Sequence, residues 1–348
     1  MRRNSIILIS LFIFILLTGF SCVGSSSNLG VYKSEDGGSA WQEKVRIDDK
    51  KTISKVEVLS IKIDPQDSNV LYIGTKDGGV YKSGDGGNSW QQTALKSGNI
   101  FSIDLNFEDS GIIYVAGYFG TLGKIYKSNN GGENFEEIYS ETHENNPVLS
   151  LAIDSYDPRK IYAGTENGAL LKSEDSGRSW ILQAELDDDI IQIAISPHDT
   201  RHVLAGTASK GLFKTEDGGQ NWRDISDPLK EFDRARSIRS IVFDPKNSGR
   251  VYLGSYFGLL VSDNEGGSWA AIDILTELKR SSVIKLALDN SDEPNIYLSV
   301  DSTIYKKSRR DEGWEVNKIT SGIIKSIAVD LNNNQIIYVG IGTTEDDY

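Results

Sequence analysis

Three consecutive carboxylates, Asp187, Asp188 and Asp189, are the catalytic candidates of this 348-residue chain. Acids crowded on one short segment suit proton transfer, and two carboxylates at a fixed separation are what glycosidic cleavage requires. Tyr118 with Phe119 and Tyr256 with Phe257 form two matching aromatic steps. Such rings stack on the apolar face of a sugar or grip a peptide, while nearby carboxylates accept hydroxyl hydrogen bonds. Arg239 adds a different signal. It stands in an apolar run at a position that Leu59, Phe101, Leu149, Ile191 and Ile284 fill elsewhere, with Lys325 the other exception. A cation in an apolar register breaks the local pattern, and such breaks cluster at functional sites. Against these stand plainer expectations: an acidic run that only solvates a loop, rings that cap packing, and a cation paired with a neighbouring acid. His143, His198 and His202 fall in loops on two faces, so neither a metal nor a cofactor is expected.

The elements that must position these residues repeat along the chain. "SEDGGSAW" (34–41) recurs as "SGDGGNSW" (83–90), "SNNGGENF" (128–135), "SEDSGRSW" (173–180), "TEDGGQNW" (215–222) and "SDNEGGSW" (262–269), with a worn copy from Ser308 to Trp314. The steps between first residues are 49, 45, 45, 42, 47 and 46. A period in the mid-forties suits a four-stranded propeller blade. Each period opens with an apolar run such as "VLSIKID" or "IRSIVFD", passes a polar turn, and continues in a β-branched and aromatic strand such as "VLYIGT". A third strand, the box and a short last strand beginning at the tryptophan complete it. The chain starts with the second half of a period and ends with the first half of one, so the termini together make a seventh blade and leave no open edge.

The box itself reads as a tight reversal between third and fourth strands. Ser34, Ser83, Ser173 and Thr215 offer hydroxyls, Asp36, Asp85, Asp175 and Asp217 accept backbone N–H groups, and the glycines take φ > 0. Trp41, Trp90, Trp180 and Trp222 pin each turn to the core. Recurrence at every blade argues for architecture, since an active site occurs once per ring. Calcium binding would need spaced acids and a distal glutamate, which the boxes lack.

Residues 1–22 have another character: Arg2 and Arg3, an apolar run from Ile6 to Leu17, then Thr18, Gly19 and Ser21. The pattern predicts an export signal, the run being shorter than the roughly 20 residues of a spanning helix. Cys22 is the sole cysteine, which excludes an intrachain disulfide, and its position suits lipid attachment. Residues 23–29 follow as a flexible tether, 30–343 as a single propeller, and 344–348 as an acidic tail. Without its first 22 residues the chain carries 35 basic and 50 acidic side chains, a net −15. Such a surface repels phosphate backbones, so no nucleic acid is expected, and membrane contact only through the lipid.

The boxes, S-x-D-x-G-x-[ST]-W at 83–90 and 173–180, resemble the Asp-box or BNR repeat first described in bacterial sialidases. With "YIGT", "GGVYKS" and "YAGTENG", the mature chain is similar to exported BNR-like propellers of the photosystem II assembly factor, sortilin and xyloglucan-hydrolase kinds. The resemblance implies an all-β, seven-bladed propeller and leaves function open. The Arg-Ile-Pro segment typical of sialidases is missing, and xyloglucan hydrolases usually carry two such propellers where this chain supplies one. The expectation is a monomeric, non-catalytic module at the cell envelope, or secreted, binding a protein or polysaccharide through the face opposite the boxes. The alternative is a glycoside hydrolase-like enzyme using carboxylates on that face.

Overall fold

The computed structural model describes residues 29–274, 282–308 and 313–343. The expected export signal of residues 1–22, Cys22, most of the tether and the acidic tail lie outside the described residues. Leu29, the first described residue, is buried and donates its N–H to the Ser54 carbonyl.

Seven four-stranded antiparallel sheets form a propeller. Numbering blades from the first complete period, their inner strands are Val58–Ile63, Asn99–Leu105, Val148–Ile153, Ile190–Ile195, Ile238–Phe243, Lys285–Leu288 and Ile323–Val329. The seventh blade draws on both ends of the chain: Ile323–Val329 and Ile337–Gly342 pair with Gly30–Ser34 and Gln42–Glu43. Among the described residues the one helical element is a 3₁₀ turn at Asp227–Glu231.

The core lies between blades. Leu204 and Leu212 of blade 4 pack with Ile238, Ile241 and Leu253 of blade 5, all buried. Each such aliphatic side chain contributes about 1.5–3 kcal/mol. Blades approach closely because a glycine stands just before the end of most second strands: a Cβ on Gly164 would lie 2.4 Å from Cγ2 of Ile190 in the next blade. Blade 6 departs from this, with Ser299 at the equivalent place, its Oγ donating to the Ile324 carbonyl.

The boxes tie the turn together and clasp neighbouring blades. Ser173 Oγ donates to Asp175 Oδ1 (2.9 Å) and accepts from the Gly177 N–H (2.8 Å), while Asp175 accepts from the backbone and hydroxyl of Ser179. Gly177, at φ +86, makes the reversal without Cβ strain. Ser34 with Asp36, Ser83 with Asp85 and Thr215 with Asp217 repeat the arrangement. The box also receives a bond from the preceding blade: Tyr162 Oη donates to the Gly218 carbonyl (2.8 Å), and Lys172 Nζ, poised over the Tyr162 ring, donates to the same oxygen. Tyr338, Tyr72 and Tyr114 reach Gly86, Gly131 and Ser176 in the same manner. Trp90 is fully buried and donates from its indole to Lys44. Trp41, Trp180 and Trp222 are partly buried.

Candidate functional site

The strand order sends the loops between blades, and those between second and third strands, to the face away from the boxes. A central channel of about 590 Å³ is walled by the seven inner strands, and the loop residues that line it, Ser155, Pro197 and Leu331, belong to turns on the box face. One residue of each inner strand, the third counted from Val58, Ile100, Val148, Ile190, Ile238, Val283 and Ile324, forms a ring: Ser60, Ser102, Ser150, Gln192, Ser240, Lys285 and Ser326. From blade 2 to blade 6 this ring stitches neighbours together. Ser102 accepts from the Leu151 N–H, Ser150 from Ile193, Gln192 from Ile241 and Ser240 from Leu286, at 2.9–3.1 Å. Lys285 cannot accept such a bond, and Ser326 Oγ is buried with no hydrogen-bond partner. Ser60 accepts no such bond either and instead donates to the Ile100 carbonyl of blade 2 (3.3 Å).

Arg239 sits one residue before Ser240, at the bulge that interrupts blade 5's inner strand between Ile238 and Ser240. The bulge leaves an unpaired residue and re-aims its side chain. The guanidinium lies 4.4 Å from the Tyr256 ring centre and hydrogen-bonds the Tyr256 hydroxyl. Arg234 lies at the same 4.4 Å, so both guanidinium groups bear on one aromatic ring. Tyr256, Phe257 and Arg234 line a second cavity of about 630 Å³. Phe257 meets Phe232 edge to face at 5.2 Å. Lys325 occupies the equivalent bulge of blade 7 and is buried. Between them, Lys285 has its ammonium pKa pushed down to about 8, by burial first and then by repulsion from Arg239 and Lys325. Blades 5 to 7 thus present a basic arc on an acidic molecule.

The other aromatic step is built differently. Tyr118 donates to Asn145 (2.8 Å), and Phe119 packs edge to face on Tyr126 at 4.8 Å. Tyr118 and Phe119 lie in blade 2, Tyr256 and Phe257 in blade 5, so the two steps form no common surface.

The three aspartates occupy the link between blades 3 and 4. Asp187 is 81% exposed, with Lys210 at 3.5 Å. Asp188 binds the N–H groups of Ser209 and Lys210, both at 2.7 Å. Burial opposes its ionisation, but these backbone donors outweigh it and hold the carboxyl below its ordinary range. Asp189 moves the opposite way, raised by burial and by the Asp188 charge. Glu166 is also raised, by burial and by Asp189. The acids brought into mutual influence with raised pKa values are therefore Glu166 and Asp189, an acidic arc facing blades 3 and 4. Among the described residues no group of three His, Cys, Asp or Glu could hold a metal.

The family model described as sortilin, neurotensin receptor 3 (Sortilin-Vps10) matches residues 123–237. No curated protein matches by sequence. Among solved structures, the GH74 xyloglucanase of Xanthomonas campestris superposes with a TM-score of 0.66 at 16% identity, covering 82% of this chain and 51% of that one. The GH74 enzyme of Niastella koreensis gives 0.63 at 17%, with 82% and 51% covered. The chain thus spans about half the length of these enzymes. YCF48 from Cyanidioschyzon merolae gives 0.61 at 13%, with 82% and 96% covered, and YCF48 bound to D1 peptide gives 0.62 at 14%, with 82% and 94%. The superpositions agree with the propeller fold. The chain is a seven-bladed β-propeller that carries these boxes. At such identities the likeness establishes the fold of this Asp-box propeller and nothing of its ligand.

Lys285, Ser326, Glu166 and Arg234 escape a reading that compares the blades only at the second inner-strand position. Aligning the third position exposes Lys285 at once, as the single charge among five serines and a glutamine. No such signal marks Glu166, whose significance depends on an acid in the next blade.

Proposed function

We propose that this Asp-box propeller is a non-catalytic binding module, exported to the cell envelope and held there by a lipid on Cys22, that receives a protein or polysaccharide on the face opposite its boxes. The observation that carries this is the Tyr256 ring, in contact with both Arg234 and Arg239, beside a cavity of about 630 Å³. A flat ring with flanking guanidinium groups suits stacking and bidentate polar recognition together. Asp188 is committed to backbone donors and Asp187 is exposed, which leaves the Asp187–Asp189 run without a paired cleft. Since YCF48 has been solved with a bound peptide, extended peptides belong beside polysaccharides in the screen.

Retention of the protein lacking residues 1–28 on immobilised polysaccharides and peptide arrays tests this. Tyr256→Ala should weaken retention at least tenfold, the loss of about 1.4 kcal/mol or more expected of an aromatic anchor. Equal retention by both proteins would overturn the assignment of this face.

The raised carboxyls of Glu166 and Asp189, each under the influence of a neighbouring acid, favour a second reading, a glycoside hydrolase-like activity using paired carboxylates. Reducing ends released by the parent protein and abolished in both Glu166→Gln and Asp189→Asn would establish it. Absence of release from the whole panel would dismiss it.

A further inference from the structure

We propose that the ligand received at blade 5 is an acidic polysaccharide, its uronate carboxylates gripped by the guanidinium groups of Arg234 and Arg239 on the Tyr256 ring. This rests on the binding-face reading and deepens it by naming the substrate class.

Charge pairing singles out these two arginines. Arg46, Arg159, Arg201, Arg223 and Arg250 each meet a carboxylate at 2.5–2.9 Å. Arg234 and Arg239 meet none among the described residues, although the chain carries a net charge of −13 and acids are plentiful. Each guanidinium lies 4.4 Å from the centre of the same ring, so the two are no further apart than twice that distance. Like charges so placed repel, and an anion joining them relieves the repulsion. Arg239 also donates to the Tyr256 hydroxyl, and Arg234 is held at φ +59, a left-handed backbone that a long side chain adopts only at a cost. Planar guanidinium forks match a carboxylate bidentately.

The cavity of about 630 Å³ beside them has an apolar side, Phe257, Leu259, Ile272 and Ile274, suited to the C–H face of a sugar ring. Asp233 and Asp273 line it too without pairing to either arginine, and their charge disfavours anions that do not reach the forks. A peptide fits less well, because the turn offers it no backbone. The N–H groups of Tyr256, Phe257 and Gly258 already donate to the Ser237 carbonyl, Ser255 Oγ and the Ser255 carbonyl at 3.1–3.2 Å. Recognition is left to side chains, whereas an extended peptide is held largely through main-chain pairing.

The full-length protein, in detergent, is titrated calorimetrically with polygalacturonate, alginate and hyaluronate at about 0.15 M salt. Each polymer is also tested after reduction of its carboxylates to alcohols, and polyglutamate serves as the acidic peptide. At least one uronate polymer should bind, and its reduced form should bind at least tenfold more weakly. Arg234→Gln and Arg239→Gln should each cost at least tenfold in affinity while melting at the parent's temperature. Arg223→Gln, which alters an arginine paired with Glu216, should bind like the parent. Failure of all three uronates, equal binding of the reduced polymer, or indifference to both arginine variants overturns the proposal. Tighter binding of polyglutamate than of any uronate also overturns it. Retention of a neutral polysaccharide or a peptide that depends on Tyr256, without any response to uronates, would sink this inference and leave the binding face standing. Uronate binding untouched by Tyr256→Ala and by both arginine variants would sink both.

Discussion

Ser173 joins two roles in one hydroxyl, orienting Asp175 and accepting from the buried Gly177 N–H. Ser173→Ala should therefore cost about 1–3 kcal/mol, the penalty of stranding a buried donor, measured by urea unfolding. The aspartates add a pH dependence. Hydrogen bonds from Ser179 hold Asp175 at about 2, and those from Asn221 hold Asp217 at about 2. Both lie below the unfolded value near 3.9. A depressed carboxylate stabilises fully above the unfolded value and loses that contribution as pH falls through the folded one, so Tm should drop between about pH 4 and pH 2. Asp175→Asn should flatten part of that slope. The boxes were legible because a tight reversal admits few residue types. Arg239 was legible too, since a charge among aliphatic residues shows in a simple alignment. Its neighbours in space were not: Arg234 meets Tyr256 across 22 positions of sequence, and no periodicity encodes that.

Inner strands are joined side by side through single hydroxyls, and the joint is uneven. Ser150→Ala removes an acceptor from the Ile193 N–H and should destabilise by about 1–3 kcal/mol. Ser326→Ala deletes a hydroxyl without a partner and should be neutral or slightly stabilising in the same urea titration. Matching losses from the two variants would contradict this division of the ring. Strand identity followed from alternating apolar runs, and each inner strand was anticipated by its "VLSIKID" pattern. The stitching was not, because a serine in a strand reads as a pause in hydrophobicity until the neighbouring blade supplies its donor. Lys285 belongs to the same class: its type is plain, while its isolation depends on what the adjacent strands fail to provide.

At the level of the ring, Gly30–Ser34 closes the seventh blade by five consecutive pairings with Ile337–Ile341. Removing residues 30–43 strips away Val31 and Tyr32, each worth about 1.5–3 kcal/mol of burial, and leaves that blade with two strands. Circular dichroism should report a lower melting temperature, and light scattering should detect association through the uncovered edge of Ile337–Gly342. A truncated protein that melts like the parent would show that closure is dispensable. The same antiparallel seam also has a mechanical consequence. Tension drawn along the axis of the closing strand from Leu29, with the far side of the ring held, would load its hydrogen bonds with Ile337–Ile341 together in shear. A pull between the two ends of the pairing, which leave the same edge, would instead unzip them one by one. Against the first of these pulls the ring would resist through the very strand that completes it.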